Sequence, residues 1–321
     1  MESTRVPTRL GRNPLFSHGP WNEGSEGQLL DPQVVPYRDA VGTAVGSDAL
    51  ESFTEPFLRS ADARLIRVAA ELLEPQFRLE REGIEDTIVF FGSARVRPAG
   101  DAATNPGLKA LAESYEAARE LAGRLTSWSS NRPGTRQFVV CSGGGPGIME
   151  AANRGATEAG GKSIGLGITI PEEESINEWV TPDLAFAFHY FFLRKFWFLY
   201  SAKALVFFPG GFGTMDELME ALTLIQTKRV RKPMGIILYD SNFWRSVLDL
   251  DALVQHGVIS REDRGLLSFS DTVDDAFGEG TCRRLVVFGA SEGGGENRGS
   301  EGHDGKLHHL LCHRFAPSIG E

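Results

Sequence analysis

The sequence predicts an α/β fold: a doubly wound parallel sheet with helices on both faces, preceded by a helical extension. Three observations predict it. Continuous apolar runs of strand length recur, at residues 87–91, 138–141 and 204–208, and such runs suit strands buried on both faces. Each run ends in a glycine-bearing turn, at Gly92-Ser93, at 142–147 and at 209–214. Helical periodicity fills the gaps between the runs, and strand-helix alternation of this kind builds parallel sheets.

The elements follow in order. Residues 1–54 are rich in Gly, Pro, Ser and acids with weak periodicity, and read as an irregular arm. Over 55–84 a helix is expected, because Leu58, Leu65, Val68, Ala69, Leu72 and Leu73 recur at spacings near three and four; it would pack on the core or on a partner subunit. The core domain is expected over 85–280. Its first strand, 87–91, is followed by a helix over 108–126 and a strand over 138–141. Pro146 suits the first turn of the next helix, which runs toward Ala159. A third strand spans 163–170, a connecting segment 171–188 and a helix 190–202. After the strand 204–208, the 209–214 loop opens a helix reaching Lys228, then come a strand over 234–239 and a helix over 243–256. From Gly293 onward the chain is low in apolar residues and rich in Gly, and residues 281–321 are expected to be a disordered tail.

Composition narrows the partners. A formal net charge of −10 argues against general nucleic-acid binding, which needs a basic surface. It does not oppose a small anionic ligand, since a few backbone amides and one or two cations bind a phosphate locally. No uncharged apolar run reaches the length of about 18 residues that a membrane span needs. Cys141, Cys282 and Cys312 are too few and too scattered for a disulfide framework or a zinc site, so no metal is expected and a reducing, cytoplasmic setting fits.

Three glycine turns on one edge of a parallel sheet are more informative than any one of them. Strand C-termini share an edge, and ligands bind there. Glycine lets backbone amides approach a ligand, and a following helix adds unpaired N–H groups and a positive dipole end. Taken singly, each turn is as readily a tight strand-to-helix connection. The 209–214 loop lacks the Gly-Lys-Ser/Thr ending of a P-loop, and 142–147 lacks the dinucleotide glycine spacing. Thr214 adds a hydroxyl donor to the third turn. Glu217, one helical turn further on, can point back to the loop mouth, with Asp216 beside it; both also serve as favourable acids in a first turn. Arg194 and Lys195 interrupt an aromatic helix and need a partner, which could be Glu217, a ligand phosphate or solvent. His189 reads as structural, and Glu172, Glu173 and Glu174 as a solvated turn.

At these residues the chain resembles a known family. The stretches 142–152, SGGGPGIMEAA, and 209–217, PGGFGTMDE, are similar to the two signatures of the LOG family, cytokinin riboside 5′-monophosphate phosphoribohydrolases and related nucleotide 5′-monophosphate nucleosidases. The second, read as Pro-Gly-Gly-x-Gly-Thr-x-x-Glu, matches at every fixed position, and Arg194-Lys195 falls where the family carries its Arg-Lys pair. The resemblance covers roughly residues 85–280. It implies a Rossmann-like fold, no cofactor, a homodimer or higher homo-oligomer, and hydrolysis of a nucleoside 5′-monophosphate to free base and ribose 5-phosphate. It also implies that Arg194 and Glu217 are the catalytic pair. Gly210, Gly211, Gly213 and Thr214 would hold the 5′-phosphate. Gly92, Ser93, Gly143, Gly144, Met149 and Glu150 would line the pocket, with Lys195, Asp216 and Thr223 as further substrate-binding positions. Some relatives carry the label lysine decarboxylase; nothing in this sequence marks a pyridoxal-phosphate lysine. A non-catalytic protein binding a nucleotide or phosphoribosyl ligand would use the same loops and is the alternative.

Overall fold

The computed structural model describes residues 55–98, 106–132, 138–168 and 176–278. The expected arm over 1–54, the acidic turn over 172–174, Cys282, Cys312 and the expected tail over 281–321 lie outside the described residues. Among the described residues seven parallel strands form one sheet, in the order β4-β3-β2-β1-β5-β6-β7. They are β1 (Asp86–Phe91), β2 (Phe138–Ser142), β3 (Ser163–Ile168), β4 (Ala185–Phe188), β5 (Ala202–Phe207), β6 (Gly235–Tyr239) and β7 (Leu267–Ser270). The helices are α1 (Glu55–Arg59), α2 (Arg64–Arg81), α3 (Pro106–Ala110), α4 (Ala112–Ser130), α5 (Ile148–Glu158), α6 (Phe191–Tyr200), α7 (Phe212–Gln226), α8 (Ser241–Val247), α9 (Leu250–Gln255), α10 (Arg261–Arg264) and the single turn α11 (Val273–Asp275).

Alternation along the central strands builds two cores. From β1, Ile88 and Phe90 face one side, where Tyr115, Leu121 and Leu125 of α4 meet Ile148 and Ala152 of α5. Val89 and Phe91 face the other, against Trp197 and Phe198 of α6 and Leu218 of α7, with Leu79 of α2 in the same core. All four residues of β1 named here are buried, so the stretch 88–91 is apolar on both faces.

The winding reverses at β1. The chain steps outward from β1 through β2 and β3 to β4, then returns to lay β5 on the opposite side of β1. The crevice beyond the C-terminal ends of β1 and β5 is therefore a topological switch point, where open α/β sheets bind ligands. Two backbone bonds knit those ends: Phe208 N–H donates to Phe91 O at 2.9 Å, and Ser93 N–H donates to Pro209 O at 3.0 Å. The first and third glycine turns are thereby held side by side.

Four expectations change in detail. The single helix expected over 55–84 is two, α1 and α2, broken where the Arg67 guanidinium donates to the carbonyls of Leu58 and Ser60. Its apolar face also divides, since Val68 and Leu72 pack on the core while Leu65 and Leu73 are exposed. The segment 171–188, expected as a connection, contains β4 after a tight turn at Pro182–Leu184. The helix expected over 243–256 is split into α8 and α9, with Asp240 and Asp249 capping each start through side-chain oxygens. Beyond it, β7 extends the sheet with the half-polar sequence Leu-Ser-Phe-Ser.

Candidate functional site

The second glycine turn, between β2 and α5, is built on positive-φ backbone. Gly144 has φ 75° and Gly147 φ 72°. A β-carbon on Gly147 would also stand 2.4 Å from the Ser93 carbonyl oxygen, so this position admits glycine alone. Ile148 N–H donates to that same oxygen at 3.2 Å, tying the second turn to the first. A β-carbon on Gly92 would run into the Ile148 side chain at 2.7 Å.

A buried polar hub beneath the loop was not foreseen. Asn153 of α5 is fully buried. Its Oδ1 accepts from the Ser142 hydroxyl at 2.6 Å and from Asn177 Nδ2 at 3.0 Å, and its Nδ2 donates to Ser163 Oγ at 2.7 Å and to Ile164 O at 3.1 Å. Ser142 Oγ in turn accepts from Gly144 N–H at 3.0 Å. Asn177 holds the loop from above, its backbone N–H donating to Gly144 O at 2.7 Å and its Nδ2 to Gly144 O at 2.9 Å and Gly145 O at 3.0 Å. The one available signal was Asn153 standing among small apolar residues of a helix, where an unpartnered amide is costly.

Arg194 enters from α6. Its Nε donates to Leu166 O at 2.7 Å, and its guanidinium lies 5.1 Å from the centre of the Phe198 ring. A β-carbon on Gly143 would meet an Arg194 guanidinium nitrogen at 2.5 Å and Met149 Sδ at 2.7 Å. Gly143, Met149 and Arg194 thus form one contact group at the mouth of β2. Glu150 turns away, accepting from the Tyr115 hydroxyl at 2.8 Å, and burial together with that carboxylate pushes the phenol up to about 12. Lys195, next along α6, reaches α7, with Nζ 2.7 Å from Asp216 Oδ2 and 3.0 Å from Glu220 Oε2. Burial works against its charge, but the two carboxylates hold its pKa above the ordinary value.

The third turn opens α7. A β-carbon on Gly210 would stand 2.1 Å from Thr214 Oγ1, so glycine at 210 is what lets the buried Thr214 hydroxyl fold under the loop. Gly211 and Gly213 face open space, and Phe212 is 96% exposed. No side chain caps the start of α7, so its first N–H groups face the loop mouth unclaimed by a capping residue. Glu217 is half-buried one turn in. Burial pushes its carboxyl up to about 7, against the opposing pull of Arg194 and Lys195 and with a smaller push from Glu220 and Asp216. The Arg194 charge is also felt by the buried thiol of Cys141, which burial pushes up.

Gly92, Ser93, Gly143, Gly144, Met149, Arg194, Lys195, Gly210, Gly211, Gly213, Thr214, Asp216 and Glu217 therefore share the C-terminal edge of the sheet. Thr223 does not join them. It is exposed, six residues beyond Glu217 or about 9 Å along the helix axis, and its hydroxyl donates to Met219 O at 2.7 Å. A hollow of about 620 Å³ lies elsewhere, lined by Arg119, Arg124 and Trp128 of α4, Glu158 of α5 and Phe277, and includes none of the glycine-turn residues. Among the described residues no cluster of His, Cys, Asp and Glu suits a metal ion, and no helix is long and apolar enough to cross a membrane.

A family model described as possible lysine decarboxylase matches residues 149–279. The chain is 30% identical over 181 residues to the cytokinin riboside 5′-monophosphate phosphoribohydrolase LOG2 of Arabidopsis thaliana, covering 54% of this chain and 68% of that protein. It is 27% identical over 139 residues to the probable cytokinin riboside 5′-monophosphate phosphoribohydrolase LOGL5 of Oryza sativa subsp. japonica, covering 43% of this chain and 55% of that one. The chain therefore spans little more than half the length of the rice relative. Among solved structures, the molybdenum cofactor binding protein of Rippkaea orientalis overlaps 63% of this chain and 96% of its own, at 18% identity and a TM-score of 0.39.

Proposed function

The chain belongs to the LOG family of cytokinin riboside 5′-monophosphate phosphoribohydrolases, and from that premise we propose that it hydrolyses the N-glycosidic bond of a purine nucleoside 5′-monophosphate. The substrate is AMP or an N6-modified AMP, and the products are the free base and ribose 5-phosphate. The observation that carries this reading is Glu217, a half-buried carboxyl with a pKa near neutrality, one turn behind a glycine loop at a helix N-terminus and within the field of Arg194.

The chemistry follows from the residue types. Breaking the bond between C1′ and the base nitrogen leaves an oxocarbenium-like ribose. The Glu217 anion lies against that positive charge and takes a proton from the water that attacks C1′. The base departs with the bonding pair and takes a proton from solvent, which balances the proton that Glu217 removes from the attacking water. Arg194 is not its source, because a guanidinium does not deprotonate in a protein; it holds the phosphate or ribose and sets Glu217. Gly210, Gly211, Gly213 and Thr214 grip the 5′-phosphate with backbone N–H groups and one hydroxyl. That remote binding energy orients the reacting bond.

A decarboxylase reading asks for a lysine amine able to form a Schiff base, which needs a depressed pKa. Lys195, the lysine at this edge, is held in the opposite state by Asp216 and Glu220. The test is incubation with a panel of nucleoside monophosphates and with adenosine, with chromatography for free base. Release of adenine or N6-substituted adenine from the monophosphates, and little from adenosine, is the expected result. No release from any member, with binding retained, would leave a nucleotide-binding protein instead.

A further inference from the structure

We propose that Glu71 of α2 is a positioning residue for Arg194 and Lys195, clamping the helix that carries them. The proposal rests on the hydrolase reading above and concerns a residue upstream of the segment matched by the family model.

The β4–α6 connection is two residues, His189 and Tyr190. Such a tight entry leaves backbone N–H groups at the helix start without intrahelical partners. Tyr190, the N-cap residue, supplies no side-chain cap. Glu71 supplies it from another helix. Its Oε1 accepts from His189 N–H at 3.0 Å and its Oε2 from Tyr190 N–H at 3.1 Å, so both carboxylate oxygens are engaged at the positive end of α6. The backbone carbonyl of the same residue accepts from Trp197 Nε1 at 3.2 Å. One residue therefore grips α6 before its first turn and again at Trp197, and Arg194 and Lys195 lie between the two grips.

The connection to Arg194 is short. Glu71 fixes Tyr190 N–H, and the Tyr190 carbonyl accepts the backbone N–H of Arg194 at 3.2 Å. Arg194 in turn spans Leu166 O and the face of Gly143, so a small rotation of α6 would carry its guanidinium off both. Lys195 is coupled likewise, through Asp216 and Glu220 on the helix that bears Glu217. The rest of α2 reinforces the clamp. Arg78, 6% exposed, donates through Nε to Asp183 O at 2.9 Å and through Nη2 to Ala185 O at 2.8 Å, and stacks 4.2 Å over the Phe186 ring. The whole β4–α6 unit is thereby strapped to α2. Burial raises the Glu71 pKa despite the two backbone bonds and Arg67, the mark of a carboxylate drawn out of water for these contacts.

The test is a double-mutant cycle on the full chain. Glu71→Ala, Arg194→Ala and the double variant are assayed for kcat and KM on AMP, for ribose 5-phosphate affinity by calorimetry, and for melting temperature. Glu71→Ala is expected to lower kcat about tenfold and to weaken ribose 5-phosphate binding severalfold in the native background, with both effects much smaller on the Arg194→Ala background, where only the route through Lys195 remains. Glu71→Gln keeps one acceptor oxygen and sets an NH2 against the other N–H, so it is expected to recover part of the loss, and it serves if Glu71→Ala does not fold. Equal losses in both backgrounds, or unchanged kcat and affinity in Glu71→Ala, overturn the proposal. If the native chain releases no base from any nucleotide, the hydrolase reading fails by itself, and the same cycle is decided on ribose 5-phosphate affinity.

Discussion

At Glu217 one side chain links the protein's pH dependence to the proposed chemistry. The folded protein holds its proton up to about pH 7, whereas the unfolded chain releases it near 4.5. Between those values the folded state binds the extra proton, so stability falls as pH rises from about 4.5 through 7. The full loss is roughly 3.5 kcal/mol, taking about 1.4 kcal/mol for each tenfold change in proton affinity. The amide of Glu217→Gln bears no such penalty. The variant is expected to melt at the native temperature near pH 4.5 and several degrees above it at pH 8, read by calorimetry across the range. Activity runs the opposite way. If the anion is the working form, log kcat/KM of the native enzyme rises with pH and levels off near 7, which reports the free enzyme. Glu217→Gln loses most of kcat while still binding nucleotide. A flat profile between pH 5 and 8, or an active amide variant, would remove Glu217 from the role. The substrate phosphate ionises near pH 6 and is separated from Glu217 by repeating the profile at saturating substrate.

The elements explain why some of the site could be read in advance and some could not. The strands β1, β2 and β5 were legible because burial on both faces leaves continuous apolar stretches at 88–91, 138–141 and 204–207, and their turns because close backbone approach demands glycine, as at Gly92 and Gly147. β4 and β7 were not: β7 is half polar, Leu-Ser-Phe-Ser, and β4 is apolar but only four residues long and separated by two residues from the aromatic helix α6, so its run merges with the helix that follows. The pairings of Glu71 with α6 and of Asn177 with the β2–α5 loop escaped for another reason. They join residues 118 and 33 positions apart, and no local spacing encodes them. Asn153 carries the clearest consequence at this scale. Replacing it with Ala leaves Ser142 Oγ, Ser163 Oγ and Ile164 O without their partner under the loop. Asn153→Ala is expected to cost roughly 3 kcal/mol in denaturant unfolding and to raise KM more than it lowers kcat, since the loop edge that would line the pocket is loosened. A variant with native unfolding free energy would show that this hub does not hold the loop.

Across the whole molecule the site is a junction, with each contribution arriving from a different part of the chain. The first turn comes from β1, the second from β2 and α5, Arg194 from α6 behind the edge strand β4, and Glu217 from α7 beyond β5. The four are joined by the sheet edge, by the two backbone bonds that knit β1 to β5, by the Ile148 N–H bond to Ser93 O, and by the Lys195 ion pairs that link α6 to α7. A phosphate at the mouth of α7 would add contacts to several of them at once, and a ligand that binds only the folded state raises the free energy of unfolding by RT ln(1 + [L]/Kd). At a concentration about a hundred times Kd that amounts to about 2.7 kcal/mol, several degrees in melting temperature for a domain of this size. Ribose 5-phosphate and AMP are therefore expected to raise the melting temperature, while ribose and adenosine leave it near the unliganded value. The overall charge of −10 sets the sign of the salt effect. A dianionic ligand approaching an acidic protein is repelled at long range, so added salt is expected to leave the shift unchanged or enlarge it, where binding to a basic surface would weaken. Equal shifts from adenosine and AMP would mean that the ligand is held by its base and not by the glycine loop, and the phosphate grip at the start of α7 would have to be abandoned.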